Sequence, residues 1–398
     1  MAIRRGLPEM ATVDADGGSH VLERMRSADE HTRRALLSAV AEPGDPKIAA
    51  LVAEHGALGV IERIALPQPM PELHARLAAR LAQANPESDL ERVRLLGGRL
   101  VIPGDLEWPT QLDDLGMAAP WALWLRGSQD LRLTMLRSVA IVGARACTPY
   151  GARIASEFAS DLACHGWTVV SGGAFGIDAA AHRGALAADG NTAAVLACGV
   201  DVAYPPRHES MFELIASHGF LISEVAPGAV PHRARFLVRN RVIAAITRGT
   251  VVIEAAIRSG SLATARAALG LDRPVLGTPG PITSALSGGV HQILRHGALL
   301  VTNAAEVIEA VGELGTDLAP VPIGQQGYLD HFDSVTRSVL DAMPSRGVMS
   351  ADAIARESGL APTEVLVSLS RLELDGVIRR RDAGWSIVRS AVIGGAPR

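Results

Sequence analysis

Apolar residues follow three regimes along this chain. Between about 138 and 311, short β-branched runs at 138–142, 167–170, 193–197, 220–223, 250–254, 274–276 and 298–301 alternate with stretches at helical spacing. That alternation predicts a parallel sheet covered on both faces by helices. From about 21 to 84 the spacing is that of short helices: Arg33 to Val40, a break at Glu42-Pro43-Gly44-Asp45-Pro46, then Ile48 to Glu54. A turn at His55-Gly56 and a further helical turn over Val60 to Ile64 follow, ended by Pro67, Pro69 and Pro71. From 334 to 390 a helix marked by Val335, Val339 and Leu340 precedes one capped by Ser350 and closed by Gly359. Pro362 opens a third, carrying Val365, Leu366, Leu369 and Leu372. Val377-Ile378 then pairs with the run from Trp385 to Val388. Helix, helix-turn-helix, hairpin is a winged-helix pattern.

The expected fold class is therefore α/β: an extended Rossmann-like parallel sheet over 95–311, with an N-terminal helical module (21–84) and a C-terminal winged helix (334–390). Residues 1–20 read as a disordered leader and 312–333, rich in Pro and Gly, as a linker. Residues 95–135 read as an irregular lead-in, with an extended apolar segment from Trp121 to Leu125. The two helices around His55-Gly56 suit plain helical packing better than the SAM-like or helix-hairpin-helix unit that they faintly resemble.

Three loops carry the candidate chemistry, each after a strand-like run. They are Gly143-Ala144-Arg145, Ser171-Gly172-Gly173-Ala174-Phe175-Gly176 and Arg258-Ser259-Gly260-Ser261. Small-residue loops between a strand tip and a helix start offer backbone N–H groups beside the positive end of a helix dipole. Three on one sheet suggest a groove for several phosphates, although tight turns of an ordinary α/β fold would look the same. The spacing is not GxGxxG, and no acidic residue stands where a dinucleotide ribose needs one. On a helix, Arg239 falls on the stripe of Val242, Ile243 and Ile246, so it either pairs internally, with Glu254 as one candidate, or points into a crevice. Arg241 lines up instead with Ala245 and Arg248. Asn240, between them, offers both a donor and an acceptor. Asp178 and His182, four apart, suit an acid–base pair or, for Asp178, routine stabilisation of a helix start.

Composition narrows the partner. The net charge of −4 excludes bulk positive charge, so any polyanion site is local. Lys47 is the only lysine, leaving phosphate contacts to Arg and backbone N–H. Three cysteines form no CxxC pair, and the histidines lack metal-ligand spacing. No HExxH, GxSxG or Walker segment occurs. Neither catalysis nor a cofactor or metal is expected. No apolar run approaches a membrane span and no signal peptide is evident, so a cytoplasmic protein without membrane insertion is the expectation.

Taken in order, these segments closely resemble the DNA-processing A (DprA, or Smf) family. The resemblance rests on Val142-Gly143-Ala144-Arg145, Tyr150-Gly151, Ser171-Gly172, Gly176-Ile177-Asp178 and Ala181-His182-Arg183-Gly184-Ala185-Leu186. It continues through Tyr204-Pro205, Ser223-Glu224, Phe236, Arg239-Asn240-Arg241, Glu254-Ala255, Ser259-Gly260-Ser261, Thr264-Ala265 and Pro279-Gly280. Ala144 stands where Ser or Thr is usual, and Phe175 where Tyr is common. The resemblance implies a homodimeric, non-enzymatic single-stranded-DNA binder that protects DNA and helps load the RecA recombinase, as in natural transformation. It implies a DNA groove at Gly143, Ala144, Arg145, Ser171, Gly172, Gly173, Phe175, Arg239, Asn240, Arg241, Ser259, Gly260 and Ser261. Arg371, Arg379, Arg380 and Arg381 of the winged helix are candidate auxiliary contacts. Two rival readings are a Rossmann-type nucleotide hydrolase akin to the phosphoribohydrolases, and a winged-helix regulator of duplex DNA.

Overall fold

The computed structural model describes residues 15–313, 317, 319 and 332–388. The chain divides into two compact units, Met1–Ala319 and Pro320–Arg398.

In the first unit, the apolar runs form the middle of a nine-stranded sheet. Its strands are β1 (Gly98–Val101), β2 (Leu123–Arg126), β3 (Ser138–Val142), β4 (Thr168–Ser171), β5 (Thr192–Leu196), β6 (Phe220–Ser223), β7 (Thr250–Val252), β8 (Val275–Gly277) and β9 (Leu299–Leu300). Their spatial order is β1-β2-β6-β5-β4-β3-β7-β8-β9. Strands β3 to β9 are mutually parallel, and β1 and β2 join antiparallel beside β6. Side chains alternate between the two faces. Ala140 and Val142 enter a core with Val242, Ile243 and Ala265, whereas Val139 and Ile141 enter another with Phe158, Ala159 and Ile177.

Five helices precede the sheet: α1 (Ala15–Ser27), α2 (Glu30–Val40), α3 (Pro46–Ala65), α4 (Pro71–Gln83) and α5 (Pro86–Leu95). Gly56, at φ 67°, breaks α3 where the His-Gly turn is expected. The helices share a core of their own, including Met25, Leu36, Ile61 and Leu77. They also dock on the sheet edge, where Ala35 and Val93 pack with Trp124, whose indole N–H donates to Ser38 Oγ at 3.0 Å.

The helices around the sheet are α6 (Leu131–Met135), α7 (Pro149–Cys164), α8 (Ile177–Ala187), α9 (Glu209–His218), α10 (Arg233–Ile246), α11 (Ser261–Leu269), α12 (Gly288–Arg295) and α13 (Ala304–Val311). Three expectations need correction. Residues 15–20 belong to α1, not to a leader. Residues 86–95 form a helix that the pattern hides, because only Pro86 and Val93 of it are buried. The lead-in over 95–135 supplies two strands and a 3-10 helix (Thr110–Ala118), since pairing with β6 decides β2. Residues 1–14 of the expected leader and most of the expected linker lie outside the described residues.

The second unit contains α14 (Ser334–Asp341), α15 (Ala351–Ser358), α16 (Pro362–Leu374) and a hairpin of β10 (Ile378–Arg381) and β11 (Gly384–Ile387). Ser350 caps α15 by accepting from Ala353 N–H, and Gly359 ends it at φ 68°. Val339, Ile354, Val365, Leu369, Leu372 and Trp385 close its core. This is the winged helix read from the sequence.

Candidate nucleic-acid interface

From β3 the chain steps through β4 and β5 to β6 in one direction, then resumes at β7 on the other side of β3. The carboxyl ends of β3 and β7 thus flank a topological switch point, where open α/β sheets hold their ligands. The loops after these two strands are sewn together. Ala144 N–H donates to Glu254 O at 2.7 Å, and the Glu254 carboxylate accepts from Thr148 N–H (2.8 Å) and Thr148 Oγ (2.6 Å). A Cβ on Gly143 would stand 2.5 Å from Ile177 Cγ1 and 2.9 Å from Glu254 O. Gly143 is small because the loops touch here.

The loop after β4 is clamped from two sides. Arg239, on α10, is 7% exposed, and its Nη1 donates to Gly172 O at 2.9 Å and to Val195 O. Buried Asp178, on the first turn of α8, accepts from Gly172 N–H (3.2 Å) and Ala174 N–H (3.3 Å). Burial pushes Asp178 above the usual carboxylate range against the pull of Arg239. Burial likewise lowers Arg239 to about 10, which leaves it charged at neutral pH. Nε of Arg239 donates to Asn240 Oδ1 at 3.3 Å, and its Nη2 makes no hydrogen bond among the described residues.

Over this floor lies a layer of rings. The exposed Arg145 guanidinium sits 4.9 Å from the centre of the Phe236 ring, and Phe236 stands 5.7 Å from Tyr204. Phe175, 44% exposed, meets the edge of His208 at 4.7 Å. His208 in turn donates from Nδ1 to Gly173 O at 3.1 Å and packs on Phe212. In a chain only 4% aromatic, exposing Phe175 and Tyr204 beside an arginine–phenylalanine stack is a marked concentration. Tyr204 and Phe236 carry the family resemblance but are not among the expected groove residues; the scarcity of rings in the chain is a second signal that points to them.

Several sequence-expected site residues have other work. The Ser171 hydroxyl is buried and donates to Ile141 O at 2.6 Å, so it is not available to a phosphate. Gly172 and Gly173 are buried, and the Gly172 amide points inward to Asp178 rather than outward. Arg241 is paired with Glu224 at 2.6 Å. The internal partners of Arg239 are carbonyls, not Glu254. Arg145, Phe175, Asn240, Gly260 and the Ser259–Ser261 pair do reach the surface of this edge. Asn240 Nδ2 donates to Gly260 O at 3.3 Å, and the two serine hydroxyls bond each other at 2.7 Å. Asp178 and His182 are no acid–base pair. His182 Nδ1 bonds Thr192 Oγ at 2.8 Å, and burial lowers its pKa to about 3.

In the winged unit, Arg371 pairs with Asp333 at 2.8 Å. Arg379, Arg380 and Arg381 are exposed on β10, and strand alternation sends Arg380, 5.6 Å from the Trp385 ring, to the opposite side from its neighbours. Among the described residues, no group of three His, Cys, Asp or Glu could hold a metal, and no helix is long and apolar enough to cross a membrane.

A family model described as DNA recombination-mediator protein A matches residues 99–312, more than half of the chain. The chain belongs to this family. A second model, the DprA winged helix domain, matches residues 329–384 of the mediator. The mediator is 43% identical over 366 residues to the putative DNA processing protein DprA of Mycobacterium tuberculosis, covering 89% of this chain and 94% of that one. It is 36% identical over 298 residues to protein Smf of Escherichia coli, covering 73% and 78%. The solved structure of DNA processing protein A from Streptococcus pneumoniae superposes with a TM-score of 0.59 at 30% identity, covering 70% of this chain and 96% of that one.

Proposed function

We propose that this mediator binds single-stranded DNA along the carboxyl edge of its sheet, protects it and helps load the RecA recombinase onto it, as in natural transformation. The observation that carries the reading is the group of exposed Arg145, Tyr204 and Phe175 with half-buried Phe236, beside the buried cation of Arg239. Bases of a single strand can leave the stack and lie on aromatic faces, whatever their sequence, while phosphates meet arginines. Duplex DNA keeps its bases stacked and offers those rings nothing. In this reading Arg145 and Nη2 of Arg239 meet phosphates, Phe236, Tyr204 and Phe175 meet bases, and Asn240, Ser259, Gly260 and Ser261 line the far wall. Action as a cytoplasmic homodimer, with RecA as protein partner, belongs to the same proposal and rests on the family.

The mediator is no enzyme in this reading. Asp178 and Glu254, the carboxylates nearest the switch point, are both engaged with loop amides or Thr148, which leaves neither poised for a ribose. Incubation with nucleoside monophosphates should therefore release no free base. The deciding experiment is a gel shift with single- and double-stranded DNA of equal length. Single strands should bind at micromolar concentration or tighter, without sequence preference, with log K falling by about 0.7 per phosphate neutralised as log salt rises. Preference for duplex, or for one short sequence, would sink the proposal.

A further inference from the structure

Helix α10 carries both Phe236 and Arg239, yet its start violates the usual rules. His232 at its N-cap makes no side-chain cap, no acidic residue lies in its first turn, and Arg233 and Arg235 do. Cations there oppose the helix dipole. The missing carboxylate comes from the N-terminal module. Glu42, in the break between α2 and α3, accepts from Arg235 Nε at 2.9 Å and Arg235 Nη2 at 3.0 Å, a two-pronged match. Arg80 of α4 reaches the same carboxylate at 3.0 Å, and His232 Nε2 lies 3.3 Å from it. Burial works against this charge, but the Arg235 hydrogen bond and the Arg235, Arg80 and His232 charges hold Glu42 down at about 2. Two residues on, Gly44 lies against the same helix. A Cβ there would stand 2.9 Å from Val238 Cγ1, so the break is fitted to α10.

We propose that Glu42 is a positioning residue for nucleic-acid binding: by clasping Arg235, the N-terminal helical module holds the first turn of α10 and so sets the Phe236 ring under Arg145. This rests on the single-stranded-DNA reading. It assigns the helical module a part in the groove without placing any of its residues on the ligand.

The test exploits a sign. Removing Glu42 takes a negative charge from beside Arg235, Arg80 and His232, so simple electrostatics demands tighter DNA binding with a steeper salt dependence. Positioning demands the reverse. Glu42→Ala in the full chain should bind a short oligothymidylate about three- to tenfold more weakly, the scale of un-ordering one or two interface side chains. Glu42→Gln, with the same change of charge but an acceptor kept for Arg235, should recover part of that loss. Glu72→Ala, the same charge change elsewhere on the module, should lose nothing. In a Phe236→Leu background the Glu42→Ala penalty should vanish, because the two act as one unit.

Equal tightening by Ala and Gln, or an undiminished penalty in the Phe236→Leu background, overturns the proposal. Should Glu42→Ala fold poorly, Glu42→Gln alone decides by whether it weakens or tightens binding. Amide hydrogen exchange separates this failure from failure of the DNA reading itself. If the parent binds no single strand, faster exchange at 233–237 in Glu42→Ala, with β4 and β5 unchanged, still supports the clasp, and unchanged exchange refutes it.

Discussion

Arg239 offers a direct quantitative test of the site's construction, because its guanidinium serves the protein before it serves a ligand. In Arg239→Ala, the buried carbonyls of Gly172 and Val195 lose their shared donor. Each stranded group costs about 1–3 kcal/mol, and the vacated volume adds to it, so roughly 3–6 kcal/mol of a total near 5–15 should disappear. The loss should also depend on pH. Asp178 already lies above its ordinary 3.8 through burial, and the charge of Arg239 is the main influence pulling it down. Without Arg239 the folded-state pKa of Asp178 rises further. A carboxyl whose folded pKa exceeds its unfolded value favours folding when protonated, and that contribution is lost as pH climbs through the folded pKa. The deficit of the variant should therefore be smallest below pH 3.8 and grow toward neutrality. Urea unfolding of parent and variant at acidic and neutral pH measures both effects. Arg239→Lys restores the charge but not the planar fork, so it should remove most of the pH dependence and only part of the loss. A variant within about 1 kcal/mol of the parent at neutral pH, or a deficit that shrinks as pH rises, would refute this account.

Arg145→Ala should behave oppositely: stability within about 0.5 kcal/mol of the parent, but a salt dependence of single-strand binding flatter by about 0.7, read by titration at several salt concentrations. Ser171→Ala should cost about 1 kcal/mol in urea unfolding and leave that salt dependence unchanged, because its hydroxyl serves Ile141 O. Removing residues 331–398 should leave single-strand affinity within about tenfold, since no proposed groove residue lies beyond Ser261; a folded truncation that no longer binds would show the main site to be misplaced.

What could be read from the sequence, and what could not, follows the range of the forces involved. Strands β3 and β6 coincide with their apolar runs because burial on both faces leaves no polar alternation to blur them. Strands β1 and β2 pair antiparallel at one end of the sheet, beyond the β/α alternation, where a partner distant in sequence decides their state. The stripe of Arg239, Val242 and Ile243 was legible at helical spacing, and it correctly placed Arg239 inward. The carbonyls that hold it come from residues 67 and 44 positions away, beyond any local pattern. Arg241 misleads for a related reason. Its face of α10 is covered by Glu224, which follows β6, and by Gly44 of the helical module. Periodicity shows which faces of a helix differ; it does not show that a second module occupies the polar one.

The glycines and small residues of the loops invite a phosphate-cradle reading, and their geometry redirects it. The amides of Ala144, Gly172 and Ala174 are already bonded within the protein, and the Ala144 side chain is buried. At that position a serine or threonine hydroxyl, usual in the resembling family, would face the interior, so its absence removes little from the surface. The small residues let the loops after β3, β4 and β7 and the Arg239 guanidinium pack at close approach. In the proposed reading, Arg145 and the neighbouring rings on so closely packed an edge would lose little freedom on binding a strand, which favours affinity. On that reading Arg145 and Phe175 on the loops, with Tyr204 and with Phe236 on α10, take the part expected of the loop backbones, and binding without sequence preference would follow, because stacking asks only for an unpaired base.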